Sequence, residues 1–222
     1  MSRINIDQFD VDGAVAEARG QLSRAELLTA GLGAIAGALA LAQPAAAARL
    51  SATDRAVLNY ALSLEYLQAA FYTEAERSKA LTGKAGKAAR TVGAVERAHV
   101  AAFLDLLGTD AVKRPRFDFK GVTEDRDAFL KTAVAFEDLA VAAYKDQAIR
   151  IESPAVVSAA LGIHTVEARH AAWMRYLNGI KPANAAFDEP DSKRKVLALV
   201  EDTGFIASAP RTTAARKPGF SG

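Results

Sequence analysis

Two copies of Glu-x-x-His, each preceded about thirty residues upstream by a lone glutamate, constrain this chain more than any other feature. They are Glu65 with Glu96-Arg97-Ala98-His99, and Glu137 with Glu167-Ala168-Arg169-His170. Positions i and i+3 of a helix share one face, so each motif presents a carboxylate and an imidazole side by side. Four carboxylates and two imidazoles are the ligand complement of a two-metal site inside a four-helix bundle. The set uses two of the protein's three histidines. The third, His164, lies on the same helix as His170.

The surroundings of the motifs decide which face they occupy. After Arg49 the chain reads as helix almost throughout, with no alternating β-branched run long enough for a sheet. A first helix is expected from Ser51-Ala52-Thr53-Asp54 to about Lys79, and Thr82-Gly83-Lys84-Ala85-Gly86 reads as a turn. A second runs from about Ala88 to Leu107, ended by Gly108. Residues 109–122, with Pro115 and two phenylalanines, form a linker long enough to run along a bundle. Thr123-Glu124-Asp125 announces a third helix, a capping residue with acids in the first turn, continuing to about Ile151. Ser153-Pro154 opens the fourth in the cap-plus-proline manner, and Gly179 ends it. A short helix is expected from Pro190 to about Asp202, followed by a loose, polar end.

Read at helical spacing, each glutamate sits within an apolar stripe. Leu58, Ala61, Leu62, Ala69 and Tyr72 flank Glu65, with Gln68 to one side; Leu130, Ala133, Val134, Ala140, Val141 and Tyr144 flank Glu137. Val92, Val100 and Phe103 accompany Glu96 and His99, while Ile163, His164 and Met174 accompany Glu167 and His170. A buried, unpaired carboxylate costs on the order of several kcal/mol, and these faces carry no Lys or Arg. Two divalent cations would neutralise four carboxylates with both histidines neutral. Glu96 and Glu167 are expected to bridge the ions, Glu65 and Glu137 to be terminal ligands, and His99 and His170 to take one ion each. Oxygen donors with a little imidazole suit iron first and manganese next, with zinc a further candidate. Tyr72, Tyr144 and His164 are candidates for supporting contacts to these ligands. Trp173 and Met174 read as packing residues rather than a haem site.

The two halves repeat. Val95-Glu96-x-x-His99-x-Ala101 through Leu106-x-Gly108 matches Val166-Glu167-x-x-His170-x-Ala172 through Leu177-x-Gly179, seventy-one residues on. Leu64-Glu65 with Leu67 and Tyr72 matches Phe136-Glu137 with Leu139 and Tyr144. Two hairpins with one internal layout are the mark of a duplicated bundle.

This order of ligands resembles the ferritin-like di-iron carboxylate superfamily. The segments LSLEYLQAAFY, VERAHVAAFLDLLG and VEARHAAWMRYLNG are similar to exported bacterial ferritin-like and desiccation-related proteins, over roughly residues 50–206. The resemblance implies an all-α antiparallel four-helix bundle with a long crossover between its second and third helices. It also implies a reaction with O2 or hydrogen peroxide: Fe(II) oxidation at a di-iron centre, or peroxide disproportionation at a dimanganese one. A non-enzymatic metal-binding or structural protein of the envelope, serving under desiccation stress, is the other reading.

Composition narrows the rest. There is no cysteine, which excludes disulfides, thiolate metal sites and rubredoxin-like iron. A net charge of +2 with interspersed acids and bases, and no basic cluster with interleaved aromatics, gives no case for nucleic acid. Residues 1–48 read as a separate export-signal-like or anchoring segment, 49–180 as the bundle and 181–222 as a C-terminal extension. From Leu27 to Ala48 there is no charge, and Pro44 precedes the small residues Ala45 to Ala48, as at a signal-peptidase site. Ser23-Arg24-Ala25-Glu26-Leu27-Leu28 resembles a twin-arginine signal in which Ala25 replaces the second arginine. Residues 1–26 carry three Arg against five acids. Cleavage would give an exported, periplasmic or envelope protein. Retention would leave an anchor, with membrane contact through residues 27–42, or an Ala-rich docking helix. Gly33-x-x-x-Gly37 would allow close helix pairing in either case, and a homo-oligomer is compatible with the sequence.

Overall fold

In the computed structural model, residues 50–183 and 185–207 are described. The leader-like segment and the last fifteen residues lie outside them. Five α-helices follow in order: α1 (Ala52–Ser78), α2 (Gly83–Leu107), α3 (Arg126–Ala148), α4 (Pro154–Leu177) and α5 (Lys193–Asp202). The hairpins α1/α2 and α3/α4 face one another, α1 meeting α3 and α2 meeting α4. The architecture is the expected all-helical bundle with a short C-terminal helix. Among the described residues, no helix is long and apolar enough to cross a membrane.

Local chemistry sets the helix ends. The Ser51 hydroxyl accepts from the Asp54 amide at 3.0 Å and caps α1. Asp54 is itself buried, and its carboxylate accepts from the amides of Glu152 and Ser153 at 2.8 and 3.1 Å. It thus joins the start of the first hairpin to the turn of the second and satisfies amides at the start of α4. Pro154 occupies the first turn of α4, as the sequence suggested.

Five expectations need correction. Helix α2 begins at Gly83, not near Ala88, with Thr82 at its cap position. Gly86 is not a turn residue: a Cβ there would collide with the Leu81 carbonyl, so glycine permits a close approach inside the helix. The cap of α3 is Asp125, whose carboxylate accepts from the amides of Asp127 and Ala128. Thr123 instead is buried and donates its hydroxyl to Glu74 at 2.8 Å, and α3 ends at Ala148 rather than Ile151. Finally, the stretch after α5 is tied down as far as it is described. The Asp118 amide donates to the Phe205 carbonyl and the Ala207 amide to the Arg116 carbonyl, both at 2.9 Å.

The apolar core falls mainly into two clusters along the bundle axis. One is aromatic: Phe71 stacks on Phe129 and meets Phe119 and Phe136 edge-on, with Phe205 of the tail closing over Phe119. Edge-on contacts of this kind add to simple burial. Met174 and Trp173 pack in the same cluster. The other cluster is aliphatic, around Leu58, Leu62, Phe103, Leu106 and Ile163. Between them lies a polar layer.

Candidate metal centre

Each helix of the bundle sends its predicted residues into that layer. Glu65, Glu96, His99, Glu137 and Glu167 have no exposed surface, and His170 is 7% exposed. His99 Nδ1 lies 3.2 Å from Glu65 Oε2, 3.1 Å from Glu167 Oε1 and 3.5 Å from Glu96 Oε2. His170 Nδ1 lies 2.9 Å from Glu96 Oε1, 3.7 Å from Glu137 Oε2 and 4.0 Å from Glu167 Oε2. Two groups of four emerge, each with ligand-type atoms within 4.8 Å of one another: Glu65, Glu96, His99 and Glu167, then Glu96, Glu137, Glu167 and His170. Glu96 and Glu167 are common to both.

A family model for the ferritin-like domain matches residues 53–179, the span of the four bundle helices. This chain belongs to the ferritin-like family. No curated protein matched it.

The buried polar atoms of this ferritin-like centre are poorly satisfied by protein alone. Both Glu96 oxygens, Glu167 Oε1 and His170 Nδ1 are buried without a hydrogen-bond partner. His170 Nδ1 is near Glu96 but off the line that a hydrogen bond requires. Their ion-pair partners are the two imidazoles; Arg97, next to Glu96 in sequence, turns outward to Glu76 at 2.7 Å. Buried polar groups are normally bonded. Unpartnered ligand atoms from α2 and α4, converging between the glutamates of α1 and α3, are what a cation would fill, so the residues fit a metal.

Without a cation, the protons must manage the repulsion. Burial pushes Glu65 up to about 7, with the nearby His99 opposing the shift. Burial and the Glu96 charge push Glu167 well up. Burial would raise Glu96 as well, but the proximity of His170 and His99 outweighs it and holds this carboxyl at about 2. Burial disfavours both imidazolium ions, yet the carboxylates prevail: His99 is well raised, and His170 reaches about 10.

The supporting residues are partly those expected. Tyr72 on α1 donates to Glu137 Oε1 on α3, and Tyr144 on α3 donates to Glu65 Oε1 on α1, both at 2.5 Å. Burial and the adjacent carboxylates raise both phenols well above their ordinary value, so they remain donors. His164 enters neither four-residue group; its Nε2 is buried without a partner. Sequence reasoning set Gln68 aside, but it is buried and its Nε2 donates to Glu137 Oε2 at 3.1 Å and Glu167 Oε2 at 3.3 Å. The signal was present: Gln68 stands three residues after Glu65, the interval that separates glutamate from histidine in both motifs.

Proposed function

We propose that the six residues hold two divalent cations. Glu65 and His99 serve one, Glu137 and His170 serve the other, and Glu96 and Glu167 are shared. The observation that carries this reading is the membership of Glu96 and Glu167 in both groups, with three of their four oxygens unpartnered. The donor set of carboxylates with two imidazoles favours iron first and manganese second.

A bound iron pair would supply Fe(II) oxidation by O2 or peroxide, and a manganese pair peroxide disproportionation; we place the protein in oxidative-stress defence on that basis. The chain's own contributions can be stated separately. Tyr72 and Tyr144 fix one oxygen of each terminal glutamate, leaving the other to face the centre. Gln68 orients Glu137 and Glu167. The two apolar clusters keep bulk water from the carboxylates, which strengthens every charge interaction there. Residues 1–48 support export to the periplasm or envelope.

Elemental analysis of protein purified without added metal should find close to two metals per chain. Glu96→Ala combined with Glu167→Ala should abolish them, and retained stoichiometry would sink the assignment. Mixing the loaded protein with Fe(II) or hydrogen peroxide under controlled oxygen then separates oxidase from catalase behaviour. The complete burial of all four glutamates favours one further reading, in which the ions simply stabilise the bundle. Inertness of the loaded protein towards both oxidants would select it.

A further inference from the structure

A groove of about 800 Å³ lies on the surface between the last turns of α1 and the crossover that follows α2. The helix supplies Thr73, Glu74 and Arg77 to its walls, and the crossover supplies Arg114, Arg116 and Glu124. Phe117 and Phe119 complete the lining, their rings stacked 5.8 Å apart. Phe119 is 1% exposed and belongs to the aromatic core, so this wall is anchored. The arginine-bearing backbone is held too. The Arg116 carbonyl accepts from the Ala207 amide at 2.9 Å, and Phe117 bridges to Ile206. Pro115 has a fixed φ and biases Arg114 towards extended backbone. Side chains two residues apart on extended chain project to one side, and Arg114 and Arg116 both line the groove.

Charge and donor geometry restrict the occupant. Arg55, Arg97, Arg126 and Arg175 each have a carboxylate partner. Among the described residues Arg77, Arg114 and Arg116 have none, although Glu74 and Glu124 stand in the same walls. Glu74 is engaged elsewhere, accepting from the Thr123 hydroxyl at 2.8 Å. Residues 208–222 carry Arg211, Arg216 and Lys217 and no acid, so their side chains cannot neutralise the groove either. Guanidinium groups present paired, planar donors that match the edge of a carboxylate or a phosphate. One guanidinium saturates the two oxygens of a carboxylate. A phosphate monoester has three terminal oxygens and a charge approaching −2, which suits three arginines. The Thr73 hydroxyl accepts from Arg97 at 3.1 Å and keeps its own proton to donate. Glu74 and Glu124 offer acceptors to hydroxyl groups, and the volume is that of a small-molecule site.

We infer that this groove binds a small phosphate monoester bearing hydroxyl groups. Arg77, Arg114 and Arg116 hold the phosphate, and Glu74 and Glu124 accept from the hydroxyls. The ligand braces the crossover against α1. None of these residues takes part in the metal reading above, so the site stands or falls separately from it.

Calorimetric titration of the full chain in chelator tests the site, since chelator prevents phosphate from reporting on bound iron. Glycerol phosphate should bind saturably at one site per chain. Inorganic phosphate should bind about ten-fold more weakly, and glycerol not at all. Absence of saturable glycerol phosphate binding would overturn the inference, and equal affinity for inorganic phosphate would overturn the role of the hydroxyls. Arg114→Gln and Arg116→Gln should each weaken binding by about ten-fold or more. Neither touches the backbone bond between Arg116 and Ala207, and circular dichroism checks that each folds. Arg77→Gln gives the same reading from α1 if a crossover variant does not. Arg116→Lys separates a built site from diffuse charge. Lysine keeps the charge but not the paired donors, so its loss should match that of the glutamine variant. A lysine variant that binds like the parent would reduce the groove to a basic surface and overturn the assignment.

Discussion

The hydroxyl of Tyr72 reaches across the bundle to Oε1 of Glu137, 2.5 Å away, and is mirrored by Tyr144 reaching back to Glu65. Each tyrosine follows the glutamate of its own helix by seven residues, yet serves the glutamate of the other hairpin. The halves therefore exchange hydrogen bonds as well as ligands. A bond to a carboxylate of this kind, in a fully buried site, contributes more than a neutral one.

Tyr72→Phe should therefore leave Glu137 Oε1 unpaired and destabilise the metal-free protein by roughly 1–3 kcal/mol. Tyr144→Phe should act similarly through Glu65. Urea denaturation in chelator measures both; a loss near zero for either would show that its hydroxyl merely fills space.

Gln68 breaks the internal symmetry, since the matching position in the second half is Ala140. Its amide supports Glu137 and Glu167 but neither Glu65 nor Glu96. Gln68→Ala should weaken the ion held by Glu137 and His170 by about ten-fold or more, the usual scale for a lost contact to a ligand, and the other ion less, through the shared Glu167 alone. Calorimetric metal titration would then resolve two steps. Equal weakening of both ions would contradict the assigned asymmetry.

Stability of the metal-free protein should fall as pH rises. Glu65 is raised from 4.5 to about 7, so the folded state binds the extra proton and loses stability as pH climbs through that interval. Glu167 shifts the same way. His170, raised from 6.5 to about 10, contributes fully below 6.5 and progressively loses its contribution up to about 10. Glu96, lowered to about 2, contributes above 4.5 and is lost only towards pH 2. Thermal scans in chelator should show Tm declining from pH 5 to pH 9. Added metal should oppose that decline, because its binding favours deprotonated ligands. A metal-free Tm rising over the same range would be incompatible with these shifts.

Gly93 lets α1 and α2 approach closely. A Cβ at that position would lie 2.8 Å from the Tyr72 Cβ and also meet the Glu76 carboxylate. Gly93→Ala should cost roughly 1–3 kcal/mol by overpacking. Because the displaced group is the base of Tyr72, the hydrogen bond to Glu137 should lengthen too. Chemical denaturation measures the first effect, and a crystal structure of the variant the second.

The six carboxylate and imidazole residues were legible in the sequence because helical spacing is a strict ruler. Once Glu96 and His99 share a face with Val92 and Phe103, burial of the pair follows. Duplication supplied a second copy of the same ruler. What spacing could not supply was contact across the bundle. The direction of the Tyr72 and Tyr144 bonds depends on how α1 and α3 are placed, and no single-helix pattern contains that. Gly86 misled for a related reason: glycine is read as a breaker, whereas here it answers a steric demand from the Leu81 carbonyl that exists only in the folded chain. The order of the tail residues after α5 was equally hidden, since it comes from backbone pairing with residues 116–118.

That pairing bears on how the centre assembles. Along the chain the two hairpins are linked by the crossover between Leu107 and Arg126, and each brings two glutamates and one histidine. Pinning the crossover near its middle, by the bonds from Asp118 to Phe205 and Ala207 to Arg116, divides one long tether into two short ones. Shorter tethers leave less chain entropy to oppose docking and raise the effective concentration of one hairpin beside the other. Residues remote from every carboxylate thus influence how readily two incomplete half-sites meet to become a single charged chamber.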